Sequence, residues 1–235
     1  MKKIGIIGGM GPLATSDLFQ KIILATAAHS DQENIPILID NNTAIPDRTA
    51  AILGTGKSPV PEIMRSINRL TEQGADVLIM GCNTAHYFLP WILPQIRLPF
   101  INMIEETVGF CKNSGLSKVG LLASEGTYAG KIYHQELEKH SIALVEPNAA
   151  QKEIMQNIIY AGVKAGNTKY ETAPFKQVLK EMRSRGAEAF ILGCTEIPVA
   201  VKMYQIDENY IDATQILAAS AVRFAEEKEA ILAFS

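Results

Sequence analysis

The chain has 235 residues, enough for one large α/β domain or two half-size ones. Hydrophobic residues make up 47% and charged residues 20%, which excludes a mainly disordered chain; a net charge of −3 argues against the broad basic face of a nucleic-acid binder. Three widely spaced cysteines, Cys82, Cys111 and Cys194, exclude a disulfide framework, a paired CxxC zinc site and a CxxC redox motif.

From the N-terminus, Lys2-Lys3 before an apolar run faintly imitates a secretory signal. Gly5, Gly8, Gly9 and Gly11 break that run, and it is too short to cross a membrane. A buried strand ending in a glycine turn is expected instead, in a reduced, cytoplasmic protein without a membrane partner. Strands are predicted at 4–7, 35–39, 77–80, 119–122 and 190–192, and helices over 12–28, 59–73, 150–165, 173–185 and 214–232. In the second helix Ser58 can cap the free amides and Pro59 suits the first position, where no donor is needed. Val60, Ile63, Met64 and Ile67 then share one face, and Gly74 supplies a left-handed stop. Such alternation favours parallel sheets with helices on both faces.

The chain also repeats itself. Gly74-Ala-Asp-Val-Leu-Ile-Met-Gly-Cys82 aligns without gaps on Gly186-Ala-Glu-Ala-Phe-Ile-Leu-Gly-Cys194, with five of nine positions identical. At the same offset of 112, Ile63, Ile67 and Leu70 correspond to Phe175, Leu179 and Met182. The fold expected is α/β, with two similar parallel-sheet halves related by pseudo-two-fold symmetry. The first covers 1–103, completed by a last helix within 209–235, and the second covers 104–208.

In parallel α/β sheets, ligands gather beyond the carboxyl ends of the strands. The residues expected there are Gly8 to Gly11, Asn42-Thr43 and the loop Pro46 to Thr49, Cys82-Asn83-Thr84, Ser124 to Thr127, and Cys194-Thr195-Glu196. They make a polar, small-molecule site in the cleft between the halves. A thiolate is a usable base near neutral pH, its thiol titrating around ~8.5 or lower beside cations and amide dipoles. Two thiols on opposite faces of a carbon acid can remove a proton and return another, which inverts a stereocentre. Each cysteine alone reads first as a small buried hydrophobe, and it is the repeat that favours a paired catalytic role; Cys111, with no counterpart in the repeat, is expected to be structural.

Gly81-Cys-Asn-Thr-Ala-His86 and Gly193-Cys-Thr-Glu-Ile-Pro198, with Ile6-Ile-Gly-Gly-Met-Gly-Pro12 at the start, resemble the cofactor-independent aspartate/glutamate racemase family over essentially the whole chain. Pro46-Asp-Arg-Thr49 and Val163-Lys-Ala-Gly166 resemble its aspartate racemase branch. Glutamate racemases usually begin Asp-Ser-Gly and carry a histidine after Gly-Cys-Thr, where this chain has Gly8-Gly9-Met10 and Glu196. The resemblance implies an isomerase needing neither pyridoxal phosphate, metal nor nucleotide, acting on an acidic amino acid as a homodimer. Cys82 would serve the D-enantiomer and Cys194 the L-enantiomer. Asn83, Thr84, Thr127 and Thr195 would hold the α-carboxylate or ammonium, Arg48 and Lys164 the side-chain carboxylate, and Met10 and Thr49 would line the pocket.

Taken singly, Arg48 also reads as an exposed loop residue and Lys164 as a surface cation at a helix end. His86 is expected behind the site, and Glu196 either polarises a neighbour or caps a helix. Three other readings stay open. One is a racemase of glutamate or another amino acid, or a related enzyme acting on hydantoins or maleate. Another is an amino-acid-binding protein of the same fold without activity. The third is a dinucleotide-binding oxidoreductase, on the loose G-x-G-x-x-A pattern of Gly9 to Ala14.

Overall fold

Apolar runs of two to five residues build the first parallel sheet. The computed structural model describes residues 1–226, and in it β1 (Ile4–Gly8), β2 (Ile37–Asn41), β3 (Val77–Met80) and β4 (Phe100–Ile101) stand in the order β2-β1-β3-β4. Their connections carry α1 (Pro12–Ala25), α2 (Arg48–Ile52), α3 (Val60–Glu72) and α4 (Leu89–Ile92). Helix α5 (Met103–Asn113) leads to a second parallel sheet of β5 (Lys118–Ala123), β6 (Ala143–Val145), β7 (Ala189–Gly193) and β8 (Tyr210–Ile211). Its order, β6-β5-β7-β8, is that of the first. The helices of this part are α6 (Glu125–Ala129), α7 (His134–Lys139), α8 (Ala149–Asn157), α9 (Ala173–Ser184), α10 (Glu196–Met203) and α11 (Ala213–Glu226). The repeated segments thus occupy matching central strands, β3 and β7.

Side chains of the central strands divide with the two-residue period of a strand. Ile4, Ile6, Val77 and Ile79 meet Leu18 and Ile22 of α1 and Leu217, Ala218 and Ala221 of α11, so the last helix packs on the first sheet. Ile7, Leu78 and Met80 face Ile63, Ile67 and Leu70 of α3 on the opposite side. In the second sheet Leu122, Phe190 and Leu192 face Phe175, Leu179 and Met182 of α9, while Val119, Leu121 and Ile191 face Val108 and Cys111 of α5. Cys111 is therefore a core thiol remote from the strand ends.

The equivalent helices α3 and α9 stop alike. Gly74 at φ +83° and Gly186 at φ +94° both take the left-handed conformation that a Cβ disfavours. At the start of α3, Ser58 Oγ accepts from the Val60 N–H at 3.3 Å and Pro59 holds the cap position, so the helix begins one residue later than expected.

Other boundaries move for local reasons. Strand β2 begins at Ile37, two residues after the expected start, because Pro36 has no N–H for the ladder; its carbonyl accepts from Ile4 instead. Helix α1 ends at Ala25, where Thr26 turns extended and its hydroxyl donates to the Ile22 carbonyl at 2.9 Å. The helix expected over 150–165 is α-helical only to Asn157 and continues as a π-helix over Ile158–Lys164. The expected last helix begins at Ala213; its continuation from 227 to 232, and the tail to 235, lie outside the described residues. No described helix is long and apolar enough to cross a membrane.

Candidate active site

Both sheets point their carboxyl ends at one cavity. The first sheet supplies Met10 after β1, Asp47, Arg48 and Thr49 at the start of α2, and Cys82, Asn83 and Thr84 after β3. The second supplies Ser124 after β5, Ile159, Tyr160 and Lys164 from the π-helix, and Cys194, Thr195 and Glu196 after β7. Nine of the ten residues expected from sequence line this cavity. Thr127 does not: it lies fully buried behind the wall, in a cluster of three hydroxyls with Thr84 at 3.0 Å and Ser124 at 3.2 Å.

The glycine turn brings Met10 to the cavity. Gly9 has φ +88°, and a Cβ there would lie 2.4 Å from the Asn42 backbone; one on Gly8 would strike Thr15. These glycines let β1 close onto its own helix and onto the end of β2, so their pattern has a packing cause.

Arg48 is not a free loop residue. Asp47 caps α2 by accepting from the Ala50 N–H at 2.7 Å. The guanidinium of Arg48 then donates to the carbonyls of Pro46 at 3.1 Å and of Ile45 and Met10 at 3.4 Å. Its Nε is buried without a partner among the described residues. Burial works against the charge on Arg48, but Cys82, Asp47 and Glu196 outweigh it and raise the pKa above its ordinary value. Cys82 makes the largest of these raising contributions, so this cation stands where it offsets negative charge on that sulfur.

Cys194 has the opposite partner. Its Sγ–H donates to Glu196 Oε2 at 3.0 Å, and the Thr195 hydroxyl donates to the same oxygen at 3.3 Å. Burial, reinforced by the charge of Glu196, pushes the Cys194 thiol well above its ordinary pKa. The other carboxylate oxygen lies 3.9 Å from Lys164 Nζ, which sits 4.5 Å from the centre of the Tyr160 ring. Glu196 thus polarises its neighbour while also occupying the first turn of α10. Lys164, read alone as a surface cation, lines the site from the end of the π-helix.

Two buried rings hold the turn after β3. His86 Nε2 accepts from the Met103 N–H at 3.2 Å, so Nδ1–H donates to the Cys82 carbonyl at 2.8 Å. Burial pushes the pKa of His86 down to about 4, against two backbone hydrogen bonds that favour the charged ring. Tyr133 donates its hydroxyl to Asn83 Oδ1 at 2.5 Å. That contact joins residues from the two sheets' connections and carries no sequence signal; nor do Ile159 and Tyr160.

The arrangement can hold a small anion beside two thiols of contrasting surroundings, one next to a cation and one bonded to a carboxylate. The family model for Asp/Glu/hydantoin racemase matches residues 7–221. An aspartate racemase of Picrophilus torridus superimposes with a TM-score of 0.86 at 34% identity, covering 97% of this chain and 96% of that one. A broad specificity amino-acid racemase of Bacillus subtilis is 26% identical, covering 93% of this chain and 96% of the relative. A glutamate racemase of Staphylococcus epidermidis is 27% identical over 81% of this chain and 74% of its own length. Matched along nearly its whole described length, and with the paired thiols at the ends of its two sheets, the chain belongs to the Asp/Glu/hydantoin racemase family of isomerases.

Proposed function

We propose that the protein interconverts L- and D-aspartate by proton transfer between the α-carbon and two cysteines, without pyridoxal phosphate. The observation that carries this reading is that Cys82 and Cys194, one beyond each sheet, line a single cavity with the cations Arg48 and Lys164. With D-aspartate, the Cys82 sulfur takes the α-proton and the electron pair of the broken C–H bond moves into the carboxylate. Cys194 then gives its thiol proton to the opposite face, and the product is L-aspartate. Proton and charge have changed places between the sulfurs, and the reverse reaction retraces the same steps.

Without an electron-sink cofactor, the charge on the enediolate must be met by fixed donors where water is excluded. Asn83, Thr84 and Thr195 hold the α-carboxylate, while Thr127 acts from behind by fixing the Thr84 hydroxyl. Arg48 and Lys164 hold the side-chain carboxylate, Arg48 with the donor left free on Nε. Met10 and Thr49 shape the wall. Glu196 accepts the hydrogen bond of the Cys194 thiol and holds the proton on that sulfur until the substrate takes it.

Likeness to the Picrophilus torridus enzyme supports aspartate, and the broad specificity and glutamate-specific relatives define the panel to test beside it. The protein is incubated with L-aspartate and the enantiomers are separated by chiral chromatography. D-aspartate is expected from the wild type, with losses of about 10²–10⁴-fold in Cys82→Ala and in Cys194→Ala. Full activity in either variant would overturn the two-thiol scheme. Inactivity of the wild type on the whole panel would overturn the racemase reading.

A further inference from the structure

The asparagine that follows Cys82 is held from behind by a tyrosine of the other sheet. Tyr133 immediately precedes α7 and is fully buried, and its hydroxyl lies 2.5 Å from Asn83 Oδ1. The other end of the same amide, Asn83 Nδ2, is also buried, yet it finds no partner among the described residues. Asn83 is 1% exposed and lines the cavity beside Cys82.

These facts favour one orientation of the amide. A phenol has a single proton to donate, and burial pushes the Tyr133 pKa up, so that proton stays on the oxygen. Oδ1 accepts it, and Nδ2 stands at the other end of the amide on a residue that lines the cavity. With the amide reversed, a carbonyl oxygen of Asn83 would confront the incoming carboxylate. A buried N–H without an acceptor is costly, and here the acceptor arrives with the ligand.

We propose that Tyr133 is a positioning residue for the acidic amino acid, fixing the Asn83 amide so that Nδ2 donates to the substrate's α-carboxylate. The proposal rests on the racemase reading and adds to it a residue that touches neither substrate nor sulfur. It acts through Asn83, and this separates it from a residue that merely packs.

The test is a double-mutant cycle on the full chain with L-aspartate, using Tyr133→Phe, Asn83→Ala and the two combined, with melting temperatures recorded. Tyr133→Phe is expected to lower kcat/KM roughly tenfold, mainly through KM, the size of one net hydrogen bond. Added to Asn83→Ala, it is expected to cost nothing more in kcat/KM. Asn83→Asp keeps the acceptor for Tyr133 but turns a carboxylate oxygen to the cavity, and is expected to lose more than Asn83→Ala. Equal losses from Tyr133→Phe in both backgrounds, or unchanged kinetics in the single variant, would overturn the proposal. If the wild type racemises no amino acid, the racemase reading fails separately and the cycle is read as calorimetric affinity for L-aspartate. Weaker binding by Tyr133→Phe alone would then support the positioning role, and unchanged or absent binding would overturn it.

Discussion

Cys194 donates its thiol proton to Glu196 Oε2 at 3.0 Å inside a buried corner that Lys164 closes from the other side. The carboxylate holds that proton on sulfur in two ways, by accepting its hydrogen bond and by repelling the thiolate. Replacing it separates the two effects.

Glu196→Gln removes the negative charge but keeps an acceptor oxygen. Burial still raises the Cys194 pKa, while the repulsion from Glu196 is gone, so the thiol is expected to titrate at lower pH than in the wild type. Alkylation rate against pH, in a background with Cys82 and Cys111 replaced by alanine, reads this directly. A midpoint lower by about one unit or more is expected; an unmoved midpoint would assign the whole shift to burial.

Arg48→Lys keeps the charge but loses the planar fork that spans the carbonyls of Pro46, Ile45 and Met10. It also loses the donor on Nε. A fall in kcat/KM of about a hundredfold or more is expected, a size typical of breaking a buried charged contact. Steady-state kinetics check it, and a change within threefold would mean that the site asks only for a positive charge.

His86 links stability to acid. Its folded pKa of about 4 lies below the ordinary value of 6.5, so the unfolded chain binds the extra proton first as pH falls. Its contribution is neutral above the ordinary value, and stability is lost progressively between about 6.5 and 4. The full loss is on the order of 3 kcal/mol. Urea midpoints at pH 7, 5.5 and 4.5 are expected to fall less steeply in His86→Gln than in the wild type; parallel slopes would contradict this.

Phe175 and Ile63 are equivalent in the repeat and both fully buried, each facing a different sheet. Phe175→Ala is expected to cost about 3–5 kcal/mol and Ile63→Ala about 2–5 kcal/mol, through lost burial and the cavity left behind. Denaturant unfolding measures both. A loss below about 1 kcal/mol at either position would mean that the core collapses around the gap.

The features legible in the sequence were those written locally. The Gly-Cys ends of β3 and β7, the apolar faces of α3 and α9 and the glycines that stop them needed no knowledge of distant partners. Two-residue strands such as β4 and β8 have no period to read, and they form because β3 and β7 offer them an edge. Lys164 was ambiguous because a helical pattern gives no hint that the backbone widens into a π-helix there. Thr127 lies one layer behind the cavity: strand-end position locates its cluster but not which hydroxyl meets the cavity. The bond from Tyr133 to Asn83 spans 50 residues and exists only once the two sheets have come together.

The central claim is that two thiols serve opposite faces of one carbon. Its most direct test is the first turnovers of L-aspartate in D2O, with deuterium at the α-carbon followed in both enantiomers. The account predicts that D-aspartate carries solvent deuterium from its first appearance while the remaining L-aspartate keeps its original proton. Deuterium entering L-aspartate as fast as D-aspartate forms, or D-aspartate that retains the original proton, would contradict it.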